Sequence, residues 1–148
     1  MISLRNFCDN DAVIFQKNYY KAISLEEIKE MFSKWNEKEY DGKYFEMFAI
    51  VKDQEIMGHI SLFHHSENVI ACGPEVFHCY RRQGVAKAAM MLAMDIAKSK
   101  GYKIVSQQIR VDNVASIALH QQLGFETDGY VYRNRKGNEV LIYLKTLV

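Results

Sequence analysis

Val76–Lys87 reads VFHCYRRQGVAK: an apolar strand closes, two arginines follow, and Gly84 passes the chain straight into a run rich in Ala, Met and Leu. Alanine, methionine and leucine are strong helix formers, so the spacing predicts a helix over 85–100 with Gly101 as its stop. The first turn of a helix has four unpaired N–H groups and the positive end of the dipole. Gly84 and Ala86 carry no bulk, so a phosphate can approach the backbone closely. Arg81 and Arg82 add charge-assisted donors, and Lys87 lies in the first turn. The segment therefore has the makings of an anion site suited to a phosphate or pyrophosphate, although a strand-to-helix turn with solvated arginines has the same residues. With only one glycine it matches neither GxxxxGK[ST] nor GxGxxG.

Outward from this junction the chain reads as alternating short strands and helices, an α/β or α+β pattern. Met1–Phe7 is expected to be a strand and Ala12–Lys21 a short helix with Asp9 or Asn10 as its cap. Ser24 with Glu27 forms a capping box, and Ile23 with Ile28 a hydrophobic staple, for a helix from Leu25 to about Lys38. Tyr44–Val51 and Glu55–Phe63 are expected to pair as a hairpin across Lys52-Asp53-Gln54. Val69–Phe77 is a further strand, and the only proline, Pro74, predicts a bulge or a locally unpaired stretch in it. Ile104–Val111 is a strand, and Asp112 or Asn113 caps a helix that ends at Gly124. Phe125–Tyr132 and Glu139–Leu144 complete the pattern, with Asn134–Asn138 as a hairpin loop.

With 148 residues, 49% apolar and 25% charged, the chain has the size and composition of one globular domain and needs neither disulfide nor metal to fold. Eight glycines and one proline exclude collagen-like and low-complexity classes. A net charge of +1 gives no global reason to expect nucleic acid or an acidic membrane as partner. Arg5 and Asp9 interrupt any secretory apolar core. The longest apolar run, Ala88–Met94, falls far short of the roughly 20 residues of a membrane span. Three cysteines, Cys8, Cys72 and Cys79, without CxxC spacing, suggest reduced thiols and a cytoplasmic protein.

Arg81-Arg82-Gln83-Gly84-Val85-Ala86 is similar to the acyl-CoA-binding pattern [QR]-x-x-G-x-[GA] of the GNAT superfamily of N-acetyltransferases. Asn113–Phe125, NVASIALHQQLGF, resembles that family's later block, and a helix and a strand separate the two. The order of elements fits along essentially the whole chain, residues 1–148, as a single N-acetyltransferase domain. The resemblance implies a mixed, mostly antiparallel sheet of six or seven strands flanked by about four helices, in which the strands around Val76 and Ile109 run parallel and splay apart. It implies acetyl-CoA as co-substrate. Backbone near Val76, Phe77 and His78 would pair with the pantetheine arm. The N–H groups of Gln83, Gly84, Val85, Ala86 and Lys87, with Arg81 and Arg82, would hold the pyrophosphate, and Asn113 would lie near the thioester end. The acceptor is then a primary amine on a small molecule or a protein N-terminus. A sheet-edge homodimer is common among similar proteins.

Acetyl transfer to an amine needs a base for the ammonium, donors for the oxyanion, an acid for the departing thiolate and close positioning. Glu75, beside Pro74, is the candidate base, acting through water as in similar enzymes; an exposed strand carboxylate is the competing reading. His120 stands where many relatives have tyrosine. It is the candidate acid, and a base or a packed, cofactor-contacting histidine are its other readings. Gln108 replaces a glutamate that certain ribosomal-protein acetylases use, and it cannot take a proton. His59, His64 and His65 read as surface groups or as lining for an acceptor pocket, with no partner at metal-ligand spacing. Tyr40, Tyr44 and Phe45 are placed where relatives build that pocket. The basic tip Arg133, Arg135 and Lys136 suits solvent or RNA. The alternatives to an enzyme are a CoA-binding sensor or scaffold and an RNA-binding module.

Overall fold

The computed structural model describes residues 1–148. After β1 (Ser3–Arg5) come two helices, α1 (Ala12–Asn18) and α2 (Leu25–Trp35), then β2 (Glu39–Tyr40), β3 (Lys43–Lys52), β4 (Glu55–Ser66) and β5 (Val69–Val76). The second half comprises α3 (Val85–Ser99), β6 (Ile104–Arg110), α4 (Val114–Gln122), β7 (Glu126–Thr127), β8 (Tyr132–Arg133) and β9 (Glu139–Thr146). The sheet runs β1-β3-β4-β5-β6-β9-β7, and the two-residue strands β2 and β8 pair onto β3 and β9. Every pairing is antiparallel except β5–β6. The expected mixed, mostly antiparallel sheet with four helices is thus present, its six or seven strands being the seven of this path.

Two apolar clusters lie on opposite faces of the sheet. Ala89, Met90, Ala93, Met94 and Ala97 of α3 pack with Ile60, Leu62, Ile70 and Val105 on one face. Phe15 of α1 and Ile28 and Phe32 of α2 pack with Met47, Ala49 and Val51 on the other. The alternation of side chains along each strand produces this division. Ser24 caps α2 as expected, its Oγ accepting from the Glu27 amide at 3.2 Å. The β3–β4 turn places both Asp53 (φ 51°) and Gln54 (φ 69°) in the left-handed region, the tight-hairpin geometry whose twist matches the flanking strands.

The strand predicted over Phe125–Tyr132 is interrupted. The Thr127 hydroxyl accepts from the Gly129 amide, and the Asp128 carboxylate accepts from the Tyr130 amide. These side-chain turns draw the backbone away from the ladder. Pro74 makes no bulge: it lies in unbroken register opposite Ile60. The unpaired stretch is on its other side. β5 and β6 pair only at Val69↔Ile104 and Ile70↔Val105, after which they separate. The Cys72 N–H turns into this gap, where it meets a β6 side chain. By the two-residue alternation of a strand, the nitrogen of Pro74 turns the same way, so its missing donor costs no ladder bond. Gly58 holds the opposite margin of β5 close. A Cβ there would lie 2.2 Å from the Glu75 carbonyl oxygen, so the approach of the two backbones requires glycine.

Candidate functional site

Where β5 and β6 diverge, the end of β5 and the first turn of α3 enclose a cleft of about 720 Å³. Of the residues singled out in the sequence, Glu75, Val76, Arg81 and Arg82 line it from the β5 side. Gly84, Val85, Ala86 and Lys87 line it from the start of α3, and Asn113 from the start of α4. Gly84 is the N-cap of α3 with φ 77°. The N–H groups of Gly84 to Lys87 have no hydrogen-bond partner within the chain, which leaves an amide cradle at the positive end of a fifteen-residue helix. Arg82 also takes φ 64°, a conformation that costs an L-residue about 1–2 kcal/mol and so marks a constrained loop.

Four expected residues do not line the cleft. Phe77 is buried among the α1–α2 aromatics, and its amide donates to the Met57 carbonyl. His78 opens a short 3₁₀ turn and is exposed. The Gln83 side chain donates to the Cys79 carbonyl. His120 is 3% exposed.

Arg81 has two partners at the cleft. Its Nε donates to the Val76 carbonyl at 2.9 Å, and its Nη2 meets Glu75 Oε1 at 3.0 Å. The Asn113 Oδ1 accepts from the Ser116 amide and caps α4.

Beneath the cleft the gap between β5 and β6 is bridged by one side chain. The Gln107 carboxamide accepts from the Cys72 N–H at 2.9 Å and donates to the Cys72 carbonyl at 2.6 Å, replacing a rung of the lost ladder. The other face of the same amide meets His120 Nε2 at 3.2 Å. His120 Nδ1 lies 2.7 Å from the Ser116 carbonyl, which can only accept, so Nδ1 carries the proton and Nε2 the lone pair. Burial pushes the His120 pKa down, partly offset by the Ser116 bond.

On the other face of the sheet, His59 lies opposite Glu75 in the β4–β5 register. It is buried, and neither ring nitrogen has a partner. A second hollow of about 580 Å³ on this side is lined by Trp35, Tyr40, Phe45 and Phe63, with Glu37, Glu39 and Asp41 among its other residues. Tyr44 is not part of it; its hydroxyl donates to Glu46 and its ring stacks on Tyr102. His64 meets the Tyr102 hydroxyl, and His65 is exposed. No group of three or more His, Cys, Asp or Glu is placed to hold a metal.

The model of the acetyltransferase (GNAT) family matches residues 12–125. The chain belongs to this family. Acetyl transfer is therefore the reaction of this acetyltransferase and acetyl-CoA its co-substrate. Solved structures agree on the fold. A Salmonella typhimurium acetyltransferase that modifies the N-terminal serine of ribosomal protein L7/L12 superposes with a TM-score of 0.82 at 17% identity, covering 98% of this chain and 94% of that one. Mycobacterium smegmatis RimJ, solved with CoA-disulfide, gives 0.83 at 16% identity, covering 98% and 81%. A dodecameric spermidine N-acetyltransferase from Vibrio cholerae gives 0.78 at 13% identity, covering 99% and 94%. No curated protein matches the chain in sequence. No helix is long and apolar enough to cross a membrane.

Two residues of the acetyltransferase beside these candidates, Gln107 and Tyr19, stand out only in the structure. Gln107 shares its strand face with Val105 and Ile109, and that alternation is its signal in the sequence; its neighbour Gln108 is exposed and accepts from Asn134. Tyr19, which packs edge-on against His59, had no local signal.

Burial pushes the His59 pKa down to about 4, below the ordinary value near 6.5. Between these two values the unfolded chain binds the extra proton and the folded one does not, so stability falls as pH drops through that window. The expected loss from this group is about 3 kcal/mol by about pH 4. His120 shifts in the same direction. Urea unfolding at pH 7 and at about pH 4 tests this. His59→Leu should flatten the dependence, and an equal slope in that variant would remove His59 as its source.

Proposed function

We propose that the chain is one N-acetyltransferase domain, residues 1–148, that transfers the acetyl group of acetyl-CoA directly to a primary amine of a small molecule or a protein N-terminus. The observation that carries this is the cleft at the β5–α3 junction, with the unpartnered amides of Gly84 to Lys87 on one side and the Glu75 carboxylate on the other. The residues present suit the co-substrate. Its diphosphate matches the amide cradle, Arg82 and Lys87. The exposed Arg81 can turn to it. The N–H of Val76 faces the gap where a pantetheine amide would run, and the Asn113 side-chain nitrogen is free to donate. Bound there, acetyl-CoA supplies an activated acyl group with a thiolate as leaving group.

Glu75 takes the proton of the ammonium, directly or through water. Its pairing with Arg81 holds it in place and, before the co-substrate binds, neutralises it. With both nitrogens engaged, His120 is better read as a brace for Gln107, and so for the separation of β5 and β6, than as a proton donor. The spermidine and N-terminal-serine acetyltransferases of similar fold favour a primary amine as acceptor. Three unpaired cysteines favour the cytoplasm, and a homodimer is in keeping with the oligomeric neighbour.

Acetyl-CoA offered with spermidine, or with a peptide beginning in serine, should give an acetylated amine by mass spectrometry. Acetyl-CoA binding with no transfer to any amine of a broad panel would favour the sensor or scaffold reading instead.

A further inference from the structure

His59 is the only residue with buried side-chain polar atoms that find no partner in this protein. The other buried polar side chains, Asp11, Glu46, Gln107 and His120, are all hydrogen-bonded. An unsatisfied buried group works against folding, and native structures rarely keep one without a use. A leucine or phenylalanine would fill the same space without that cost.

The surroundings indicate what the group is for. His59 sits on the α1–α2 side of the sheet, directly across from Glu75, where side chains of paired residues are neighbours. Its ring is enclosed by Phe15, Tyr19 and Trp35, with centroids 5.7, 4.9 and 6.3 Å away. Phe15 is fully buried, whereas Tyr19 is 37% exposed and is the open side of the cage. Tyr19 follows directly on the end of α1 and feels the charges of both Glu75 and Arg81. Tyr19, His59, Glu75 and Arg81 therefore share one neighbourhood, between the mouth of the cleft and the α1–α2 face.

We propose that His59 binds the acceptor: with the ring of Tyr19 displaced, the imidazole lone pair accepts an N–H of the incoming primary amine beside Glu75. This rests on the acetyltransferase reading above and adds the means by which the amine is held. The amine arrives as an ammonium on a slender stem. One N–H goes to His59, a second to the Glu75 carboxylate, and the aromatic walls of Phe15 and Trp35, which stay in place, favour the cation. Glu75 then takes one proton, which frees the nitrogen lone pair for attack. A neutral imidazole is the form this needs, and burial supplies it.

The test is His59→Leu, assayed with spermidine and with a serine-initiated hexapeptide, using whichever the wild type acetylates faster. The expected variant melts at the wild-type temperature or a few degrees above it. It keeps its acetyl-CoA affinity and loses tenfold or more in kcat/KM, chiefly through KM for the amine. His59→Gln, which restores an acceptor atom, should recover several-fold of that loss. A folded leucine variant with wild-type kcat and KM overturns the proposal while leaving the transferase reading intact. A wild type that acetylates no amine defeats both. If the leucine variant does not fold, nitrogen-15 histidine spectra of CoA-saturated wild type decide: the His59 ring signals should move on adding the amine, and unmoved signals with an amine that is turned over reject the proposal.

Discussion

Glu75→Gln is expected to leave acetyl-CoA affinity unchanged and to lower kcat by about 10²–10⁴, the range for removal of a general acid–base group. Glutamine keeps the shape of glutamate and can still accept from Arg81, but it cannot take a proton from an ammonium. The fold should tolerate the change. The Arg81–Glu75 pair is about half exposed, and such surface pairs contribute about 0–1 kcal/mol. Steady-state turnover together with calorimetric titration of acetyl-CoA separates the two effects. Wild-type turnover would remove Glu75 from the mechanism. Lost affinity would mean that its main task is to shape the Arg81 loop.

Gly84→Asp is expected to abolish acetyl-CoA binding without unfolding the protein. A Cβ at Gly84 meets nothing within 4 Å, so space is available. The φ of 77° is a strain that aspartate bears better than most residues. Aspartate is also a favoured N-cap, so its carboxylate would accept from the free amides of the first turn of α3. That self-capping is the reason for the expected loss, because the cradle is filled and its sign reversed. At 100 times its dissociation constant acetyl-CoA should stabilise the wild type by about 2.7 kcal/mol, a midpoint rise of roughly 5–20 °C for a domain of this size. The variant should show no rise. A retained shift would place the diphosphate elsewhere.

The parts of this molecule that were legible in the sequence are those set by near neighbours. The Ser24 cap, the hairpin at Asp53-Gln54 and the helix start after Gly84 each depend on a few adjacent residues, and each formed as expected, although Glu27 meets the Ser24 hydroxyl and not its backbone N–H as a full capping box would have it. The α3 wall of the cleft was legible to the same extent, since Gly84 to Lys87 are consecutive. What escaped depends on distant contacts. His59 reads in sequence as a surface group or as lining for an acceptor pocket, because nothing near it shows that Phe15, Tyr19 and Trp35 close over it. For His120 the sequence leaves acid, base and packed histidine open, because only the fold sets Gln107 of β6 against its Nε2. Pro74 pointed to a disturbance in the sheet, and the topology puts it on the β6 side, where the resemblance implied that the strands splay, and not on the β4 side.

On the proposed reading, Arg81 would give the two halves of the reaction a common switch. One guanidinium holds both the carbonyl of Val76 and the carboxylate of Glu75, so a diphosphate that drew it away would strip the counter-charge from the proposed base. The resting site would then be muted, and loading the thioester would arm it. Linkage of this kind is reciprocal: whatever the first ligand gains in access to the carboxylate for the second, the second returns in affinity for the first.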